Sequence, residues 1–409
     1  MITTLNCDFK KANQLLVIGF DGFRWDYTHM YSTTTLWDVA RDGVHAPLGL
    51  IPAFTTKTFP NFWTIATGLY EESHGIVDNS FFDPKYNKSF SIFNHDAQKQ
   101  TIWWGGEPIW STVKKQGKTS GVFFWPGSDA GDQALRPDFW RRYDERISFE
   151  ERIETVLNWL QFDKIDLAML YFNQPDNAAH KYGVFNRMVC DTVEKLDMLL
   201  NRLFTEMKRR ELLSTTNILI VSDHGMTDIN FYNGTPLIYL SDYIDIRNDV
   251  IDIPQAAAVA AILPKPDKVT KIYESLKDAN PHLKVYYKED IPERYHYKHN
   301  SRIMPIIAVA DEGYLIQRLI NNFKSNLLKY PTTRRTRIKI GQHGYDNNLL
   351  SMRPLFFALG PNLKRNYESE SFETVNLYTL MCHLLDIKPS PNNGSLEVVK
   401  DMLENKFYL

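Results

Sequence analysis

The chain has 409 residues, of which 43% are hydrophobic and 23% charged, a balance typical of a globular protein rather than a disordered one. A chain of this length buries about three quarters of its unfolded surface, so its fold requires neither disulfides nor a structural metal. The 47 basic and 49 acidic side chains give a net charge of −2, which argues against a basic surface that binds extended nucleic acid.

The sequence also lacks the features of a membrane or disulfide-rich protein. Its longest apolar runs, such as residues 256–263, fall short of the roughly 18 residues that a transmembrane helix needs. The first apolar run comes too late in the chain for a signal peptide and leads into an acidic motif. Three cysteines without CxxC spacing argue against a disulfide framework. We therefore expect a cytoplasmic protein; the alternative is a secreted protein whose signal peptide precedes this sequence.

Short apolar runs alternate with longer amphipathic stretches, which predicts an α/β fold. The apolar runs are mostly continuous, as expected for strands that are covered on both faces of a sheet. The predicted strands are residues 15–20, 121–125, 167–172, 218–222, 259–263, 305–310 and 355–359. We therefore expect a mostly parallel central sheet with helices on both faces.

Three amphipathic segments predict helices between these strands. Ser148 begins an S-x-x-E capping box before an apolar run to residue 160. Residues 186–212 and 372–385 carry apolar side chains at helix spacing. These lengths and positions agree with a doubly covered sheet.

Residues 230–337 have a different character, with hairpin-like pieces and Pro-rich turns. We interpret them as a smaller lobe inserted into a single domain of residues 1–409. A basic cluster near the end of this stretch is a solvated loop in one interpretation and a contact for an anionic substrate in the other. Its members are Arg334, Arg335, Arg337 and Lys339.

Aspartate and histidine side chains follow three of the predicted strands and precede a fourth. Ligands of open α/β sheets gather at the carboxyl ends of the strands, so these side chains are expected to meet at one edge. Two of them are four residues apart and share one face if that turn is helical. The six side chains are Asp21, Asp176, His180, Asp223, His224 and His343.

Three carboxylates and three imidazoles suit two zinc-like ions with three protein ligands each and open positions for substrate. The alternative is structural. An Asp-Gly pair after a strand is commonly a turn, and an isolated histidine is commonly a packed or surface residue. It is the joint occurrence at four strands that favours a dimetal site.

The segment TTKTFPN, residues 55–61, precedes an apolar run to residue 69. Proline is tolerated in the first turn of a helix, so this segment predicts a helix N-terminus. Thr58 would there face unsatisfied N–H groups and the positive end of the helix dipole, where an anion also binds. Beside a metal ion its hydroxyl would be a nucleophile; without one, Thr58 would be only an N-cap.

These residues lie in longer motifs that run in order from near residue 15 to near residue 395. The motifs are IGFDGFRWDY (18–27), TKTFPNFWTIATGLYEESHGIVDNSFFDP (56–84), FFWPGSD (123–129), SFEERI (148–153), QPDNAAHKYG (174–183), VSDHGMT (221–227), KEDIPERYHYKHNSRI (288–303) and HGYDN (343–347). Together they resemble the nucleotide pyrophosphatase/phosphodiesterase family of the alkaline phosphatase superfamily, in particular its small members without extra domains. The resemblance implies an alkaline-phosphatase-like fold and zinc-dependent hydrolysis of nucleotide phosphodiester or pyrophosphate bonds.

The resemblance implies two zinc ions and a covalent nucleotidyl intermediate. Thr58 would be the nucleophile and would contact the first zinc ion. The ligands of that ion would be Asp21, Asp223 and His224. The ligands of the second ion would be Asp176, His180 and His343.

Four further residues would contact the substrate if the resemblance holds. Asn79 would donate a hydrogen bond to a phosphoryl oxygen in the transition state. Phe59 and Trp140 would stack on a nucleobase, and Asp129 would shape that pocket. Trp140 stands where the family usually has tyrosine.

The implied reaction releases a nucleoside 5′-monophosphate from a small nucleotide. Candidate substrates are dinucleoside polyphosphates, NAD-like dinucleotides and cyclic dinucleotides. One alternative is a lysophospholipid or choline phosphodiesterase, but the lipid-cleaving branch is shortened in the segment that residues 125–143 fill here. Another is a catalytically silent binding protein, against which the retention of Thr58 and all six ligands argues. The sequence leaves the oligomeric state open.

Several positions depart from the family pattern. Gln174 and Ala179 stand where the family usually has glutamate and glycine; since the ligands are retained, we expect altered tuning rather than loss of metal. The cysteine pairs of secreted relatives are also missing, which favours the cytoplasmic interpretation. Cys382 has lost its partner. The residues at the corresponding places are Tyr243, Ala279 and Asp401.

Overall fold

The computed structural model describes residues 14–131, 136–231, 236–319 and 339–404. Its strands are β1 (Gln14–Asp21), β2 (Val44–His45), β3 (Ser80–Asp83), β4 (Lys88–Ser91), β5 (Ser120–Phe123), β6 (Phe139–Arg141), β7 (Leu167–Pro175), β8 (Thr216–Ser222), β9 (Thr227–Asn230), β10 (Leu237–Tyr239), β11 (Val250–Asp252), β12 (Val259–Pro264), β13 (Leu283–Tyr287), β14 (Ile306–Ala310), β15 (Leu315–Gln317), β16 (Lys339–Gln342), β17 (Phe356–Leu359) and β18 (Tyr367–Glu368).

The α-helices of the same residues are mostly short, with one long exception. They are α1 (Tyr27–Met30), α2 (Thr34–Asp42), α3 (Thr58–Thr67), α4 (Glu71–His74), α5 (His95–Gln98), α6 (Ile109–Lys115), α7 (Phe149–Asn158), α8 (Asp176–Tyr182), α9 (Arg187–Arg209), α10 (Ile246–Asp249), α11 (Val269–Leu276), α12 (Asn376–Leu384) and α13 (Leu396–Val399). Within the described ranges, none is both long and apolar enough to span a bilayer.

Eight of the described strands form the central sheet, in the spatial order β18-β2-β17-β8-β1-β7-β5-β6. All neighbouring pairs are parallel except those of β17, which runs against both of its neighbours. Strand β1 lies between β7 and β8, and every residue of it after Gln14 is buried. Burial on both faces explains why these strands are continuous apolar runs. The predicted α/β class with a mostly parallel sheet is confirmed.

Helices on the two sides of the sheet account for this burial. Helix α9 packs against α2 and α7 in one group, and α12 packs against α3 and α6 in another. The N-cap half of the predicted capping box is present, since the Ser148 hydroxyl accepts from the Glu151 N–H at 3.2 Å and α7 begins at Phe149. The predicted run to residue 160 does not stay α-helical, because Trp159–Asp163 is a π-helical turn.

A buried carboxylate joins two helices of the first group. Asp197 of α9 accepts hydrogen bonds from the N–H groups of Thr35 and Leu36, both at 2.9 Å. These N–H groups belong to the first turn of α2 and have no partner within their own helix. Because Asp197 satisfies both, α2 is fixed in direction and position against α9.

A second sheet contains β11, β12, β14 and β13 in that order, all antiparallel. Helix α11 covers it, and Ile262, Ile272 and Ile306 belong to its own hydrophobic cluster. The predicted strands 259–263 and 305–310 are neighbours in this sheet rather than members of the central one. The boundaries of an inserted lobe at 230 and 337 stay a prediction, since residues 320–338, with Arg334, Arg335 and Arg337, lie outside the described part.

One arginine anchors the hairpin formed by β3 and β4. The Arg302 Nε donates to Asp83 Oδ2 at 2.7 Å, and Nη1 donates to the carbonyls of Gly75 and Trp103 at 2.7 and 2.8 Å. Nη2 donates to the Ile102 carbonyl at 2.6 Å. The side chains of Arg302 and Asp83 are 10% and 2% exposed. A single buried guanidinium therefore fixes the hairpin, the loop after α4 and the turn at residues 101–103.

The substitution Arg302→Ala should lower the free energy of unfolding by about 3–5 kcal/mol, because it leaves the Asp83 carboxylate buried and unpaired. Arg302→Lys should recover little, since an ammonium cannot reproduce the fork of the guanidinium. Urea unfolding followed by circular dichroism measures both. The exposed Arg365 offers a control, and Arg365→Ala should change the stability by less than about 0.5 kcal/mol. A loss for Arg302→Ala no larger than that of the control would contradict the anchoring role.

Candidate active site

Three buried aspartates meet at the carboxyl edge of the central sheet. Asp21 is the last residue of β1, Asp223 follows β8 directly, and Asp176 follows β7 as the first residue of α8. Since β1 lies between β7 and β8 and is parallel to both, the three carboxylates converge. Their residues are 4%, 0% and 7% exposed, in the same order. The sheet topology alone therefore concentrates negative charge at one buried point.

Gly22 makes this convergence sterically feasible. Its φ is +63°, and a Cβ at this position would lie 2.9 Å from the Cβ of Asp176, closer than side chains tolerate. The Gly22 N–H also donates to Asp223 Oδ1 at 3.0 Å. The Asp-Gly pair thus forms a turn, as the structural alternative expected, and the same turn brings the three strand ends together.

Each of the three histidines is oriented by a backbone carbonyl. The Nδ1 atoms of His180, His224 and His343 lie 2.9, 2.8 and 2.8 Å from the carbonyl oxygens of Gly341, Gly225 and Thr56, respectively. A carbonyl only accepts hydrogen bonds, so each Nδ1 carries a proton, and in the neutral ring each Nε2 has a free lone pair. This is the arrangement that orients an imidazole as a metal ligand.

The free Nε2 atoms face carboxylate oxygens. The distance from His224 Nε2 to Asp223 Oδ2 is 3.0 Å, and that from His180 Nε2 to Asp176 Oδ1 is 3.3 Å. His343 Nε2 lies 3.7 Å from Asp176 Oδ1. Lone pairs that face one another at these distances repel unless a positive charge lies among them.

The electrostatics of the cluster point the same way. Burial, followed by the charges of Asp223 and Asp176, raises the pKa of Asp21 well above its ordinary value, and burial raises the pKa of Asp176. Burial opposes the charged form of His224, but the charges of Asp223 and Asp176, together with the hydrogen bonds of the ring to Asp223 and to the Gly225 carbonyl, outweigh it and raise the histidine pKa. The pKa of His343 falls well below its ordinary value through burial and the neighbouring imidazoles. The carboxylates thus attract a positive charge, whether proton or cation.

The residues present fit metal ions. Asp176 Oδ1 and Asp223 Oδ2 are buried without a hydrogen-bond partner in the described part of the chain. A buried acceptor without a donor is costly, and a cation would satisfy both atoms. The cluster contains two sets of residues whose ligand atoms lie within 4.8 Å of one another in each set, and both sets include Asp176. The first set is Asp176, His180 and His343, and the second is Asp21, Asp176 and His224.

The predicted grouping differs from this geometry in one member. The resemblance assigned Asp21, Asp223 and His224 to one ion, whereas the second set contains Asp176 in place of Asp223. Asp223 is nevertheless adjacent, since its Oδ2 is the carboxylate oxygen 3.0 Å from His224 Nε2. All six predicted ligands therefore lie in one cluster, and their division between two ions stays a prediction.

Thr58 points its hydroxyl into this cluster. It is the first residue of α3, and Lys57 occupies the N-cap position, so the interpretation of Thr58 as the N-cap is wrong. The Thr58 Oγ1 lies 3.3 Å from His224 Nε2 and 3.5 Å from Asp21 Oδ1. This position places a hydroxyl oxygen beside the groups that would bind a cation.

Tyr171 is a site residue that sequence reasoning missed. Its buried phenol on β7 donates to Asp21 Oδ2 at 2.6 Å, which leaves Oδ1 of the same carboxylate to face Thr58. Burial, followed by the charge of Asp21, raises the Tyr171 pKa well above its ordinary value, so the phenol stays a donor. The only sequence signal is a polar atom within the otherwise apolar run of residues 167–172.

Two hydrogen bonds fix the first turn of α3 against the loop before β3. Lys57 Nζ donates to Asp78 Oδ2 at 2.6 Å in an ion pair whose side chains are 2% and 7% exposed. Asn79 Oδ1 accepts from the Phe59 N–H at 2.9 Å. The helix start was expected to offer unsatisfied N–H groups to an anion, but the N–H of Phe59 is already bonded to Asn79. The amide –NH₂ of Asn79 is the group left to donate.

The predicted aromatic pocket is placed only in part. Phe59 packs against Phe90 and Trp104, with ring centroids 6.1 and 6.0 Å apart. Trp140 lies within β6 opposite Val122, and its ring lies against Arg136 at 4.8 Å. No ring contact among the described residues joins Trp140 to Phe59.

A different aromatic residue approaches the cluster. Tyr143 follows the end of β6, and its ring centroid lies 6.4 Å from that of Tyr171, the hydrogen-bond partner of Asp21. It is 37% exposed, so its ring is accessible to a ligand. Asp129 lies in the loop after β5, where burial raises the pKa of its carboxyl above the ordinary value.

The two departures near Asp176 are accommodated structurally. Gln174 Oε1 accepts from the Ala178 N–H at 3.2 Å, which satisfies a first-turn donor of α8 without adding a charge beside Asp176. Ala179 is fully buried, and a Cβ on Gly341 would lie 2.5 Å from its carbonyl oxygen. Gly341 of β16 therefore permits the close approach of the two backbones, although position 179 is alanine rather than glycine.

Residues 15–346 match the family described as "Type I phosphodiesterase / nucleotide pyrophosphatase". Ectonucleotide pyrophosphatase/phosphodiesterase family member 5 of Homo sapiens is 40% identical over 393 residues, which cover 96% of this chain and 78% of that protein. A bis(5′-adenosyl)-triphosphatase of Mus musculus is 40% identical over 408 residues, which cover 98% of this chain and 84% of that protein.

Solved structures of related proteins agree with these sequence matches. An inactive variant of murine ectonucleotide pyrophosphatase/phosphodiesterase 5, in complex with AMP, superposes with a TM-score of 0.87 at 38% identity and covers 96% of this chain and 100% of that chain. The human protein of the same name superposes with a TM-score of 0.88 at 40% identity, with the same coverage. The resemblance and the predicted enzyme class are thereby confirmed, and the chain belongs to the nucleotide pyrophosphatase/phosphodiesterase family.

Proposed function

We propose that this protein is a zinc-dependent hydrolase of nucleotide phosphodiester or pyrophosphate bonds that acts through a covalent intermediate on Thr58. The observation that carries this proposal is the position of the Thr58 hydroxyl, 3.3 Å from His224 Nε2, which itself lies 3.0 Å from the buried Asp223 Oδ2 that has no donor in the described part of the chain. The AMP complex of the murine relative supports a nucleotide ligand. The expected product is a nucleoside 5′-monophosphate.

Two zinc ions account for the donor set. Asp21, Asp223 and His224 would hold one, and Asp176, His180 and His343 the other, as buried carboxylate and imidazole ligands do elsewhere. When bound, the ions would lower the pKa of the Thr58 hydroxyl and neutralise charge on the phosphoryl oxygens. Three carboxylates with neutral histidines supply three negative charges, so two divalent ions leave a small positive excess that favours an anionic substrate.

The reaction proceeds in two displacements at phosphorus. Thr58 Oγ attacks the phosphorus atom, the bond to the leaving group breaks, and a threonine-nucleotidyl ester forms. Water then attacks the same phosphorus atom, releases the nucleoside 5′-monophosphate and restores the hydroxyl. Throughout, the Asn79 amide is placed to donate to a phosphoryl oxygen, since its Oδ1 is held by the Phe59 N–H.

Dinucleoside polyphosphates are the substrates that we favour among the nucleotides. The support comes from the murine relative, whose name describes it as a bis(5′-adenosyl)-triphosphatase. NAD-like and cyclic dinucleotides are the other members of a first substrate panel, together with lysophosphatidylcholine as the test of lipid cleavage. Mass spectrometry of the products identifies which bond is cleaved.

The substitution Thr58→Ala should lower kcat/KM by at least about 10³-fold, because only binding and electrostatic stabilisation then remain. Thr58→Ser keeps a hydroxyl and should retain measurable turnover. Metal content and the thermal midpoint should not change in either variant. Near wild-type turnover by Thr58→Ala would show that another group is the nucleophile.

Chelation should abolish activity, and zinc should restore it. Mass spectrometry of the purified protein should find about two zinc ions per chain, as expected of a two-metal site. His343→Ala should lose roughly one of these ions, whereas the exposed His383, outside the cluster, provides the control His383→Ala with full content. Purified wild-type protein that retains less than about one ion would favour the silent binding protein instead.

The aromatic partner of the base can be identified with two matched variants. Tyr143→Ala should raise KM for a dinucleotide roughly tenfold, because base stacking contributes about 1–3 kcal/mol. Trp140→Ala should change KM by less than about twofold, since its ring lies against Arg136. The opposite result would restore Trp140 as the stacking residue.

A further inference from the structure

A groove lies beside the β3–β4 hairpin, outside the cluster of ligands. Its volume is about 390 Å³, which is enough for a nucleoside-sized group. One wall comes from the hairpin and the residues just after it, and the other from segments that flank the second sheet. The lining residues include Ser80, Phe93, Gln255, Ala256 and Arg318.

The hairpin separates this groove from Phe59. Phe81 and Phe90 pair across the hairpin and are buried, and Phe90 contacts Phe59 on that side. Ser80 and Ser91 form the next cross-strand pair, with their hydroxyls hydrogen-bonded at 3.0 Å. Side chains alternate between the faces of a strand, so Ser80 faces away from Phe59, towards the groove.

The hairpin wall of the groove begins at the candidate active site. Ser80 directly follows Asn79, the predicted donor to the phosphoryl group. On the other strand, the Ile92 N–H donates to the Asn79 carbonyl at 2.9 Å, and Phe93 is the next residue. Both residues of this wall are therefore next in the chain to a backbone hydrogen bond of Asn79.

The opposite wall begins at the ligand cluster as well. Ala256 lines the groove, and Ala258 lies two residues further along the same segment. A Cβ on Gly344 would lie 3.3 Å from the Cβ of Ala258, and Gly344 directly follows the predicted ligand His343. The groove thus opens between two elements that both reach the active site.

The chemistry of the groove suits the second half of a dinucleotide. Phe93 is 86% exposed, which leaves an aromatic face available for stacking on a base. Arg318 lines the groove and is exposed, so its guanidinium is available to a phosphate. Gln255 Oε1 is buried and has no donor in the same part of the chain, and a base amino group or a ribose hydroxyl would supply one.

We propose that this groove binds the leaving nucleoside of a linear dinucleotide. The proposal rests on the proposed function, because it requires the scissile phosphate to lie at Thr58. One base then lies on the Phe59 side of the hairpin and the other on the Phe93 side, with the polyphosphate bridge passing between them. A cyclic dinucleotide, whose two halves are joined twice by short links, cannot place its bases on opposite sides of a hairpin.

The test compares two substrates that share the AMP half and differ in the leaving group. The leaving group of diadenosine triphosphate is a nucleotide with a second base, whereas the leaving group of ATP is pyrophosphate. Phe93→Ala should lower kcat/KM for diadenosine triphosphate at least fivefold and leave that for ATP within about twofold, because stacking on a base contributes about 1–3 kcal/mol. Arg318→Ala should lower both, since both leaving groups carry phosphates. The control is Phe162→Ala, an aromatic 69% exposed elsewhere, which should change neither.

The outcomes separate this proposal from the one on which it rests. A loss on Phe93→Ala for diadenosine triphosphate that is absent for ATP supports the groove, as does the same loss in a wild-type protein that cleaves diadenosine triphosphate but not ATP. Cleavage of either compound with no effect of Phe93→Ala, or an equal effect on both substrates, overturns the groove and leaves the proposed function standing. Wild-type, zinc-loaded protein that cleaves neither compound contradicts the proposed function and the groove together.

Discussion

The burial of three carboxylates at one point is the constraint on which the rest of the site depends. Asp21, Asp176 and Asp223 arrive there because β1 lies between two parallel neighbours, and the packing at Gly22 permits their approach. Three negative charges in a buried site repel one another and lose their hydration, so the arrangement is unfavourable without cations. The free Nε2 atoms of the histidines face the same point. A metal site is therefore the simplest explanation of how the repulsion and lost hydration of the carboxylates are offset.

Thr58 is positioned by elements that surround this cluster. The buried pair of Lys57 and Asp78 and the bond from Phe59 to Asn79 lie on either side of Thr58 in sequence and connect its helix to the β3–β4 hairpin. Arg302 in turn fixes that hairpin to two other loops. A buried guanidinium thus holds the hairpin, and the hairpin holds the helix that carries the Thr58 hydroxyl, so this oxygen has the fixed position that a reacting group needs.

The sequence predicted the features that depend on local pattern. Continuous apolar runs predicted the strands, and acids and imidazoles after them predicted one cluster, because parallel strand ends share an edge. Features that depend on tertiary contacts were missed. In the sequence, Tyr171 looks like one more core aromatic. Nothing in the sequence shows that Tyr143, rather than Trp140 three positions before it, approaches the cluster. The direction of strand β17 was not predicted either, since nothing in the run of residues 355–359 distinguishes an antiparallel strand from a parallel one. A cytoplasmic location stays a prediction.

The orientation of the three imidazoles by main-chain oxygens has a consequence for how this architecture diversifies. The carbonyls of Thr56, Gly225 and Gly341 belong to the backbone, so exchanges of side chains around them leave the tautomers unaltered. Side chains that line the substrate pocket can therefore change without altering the orientation of the imidazoles, which depends on the path of the backbone. Gln174 and Ala179 illustrate how neighbours of a ligand vary within a preserved scaffold. One centre can accordingly serve many pockets across evolutionary time.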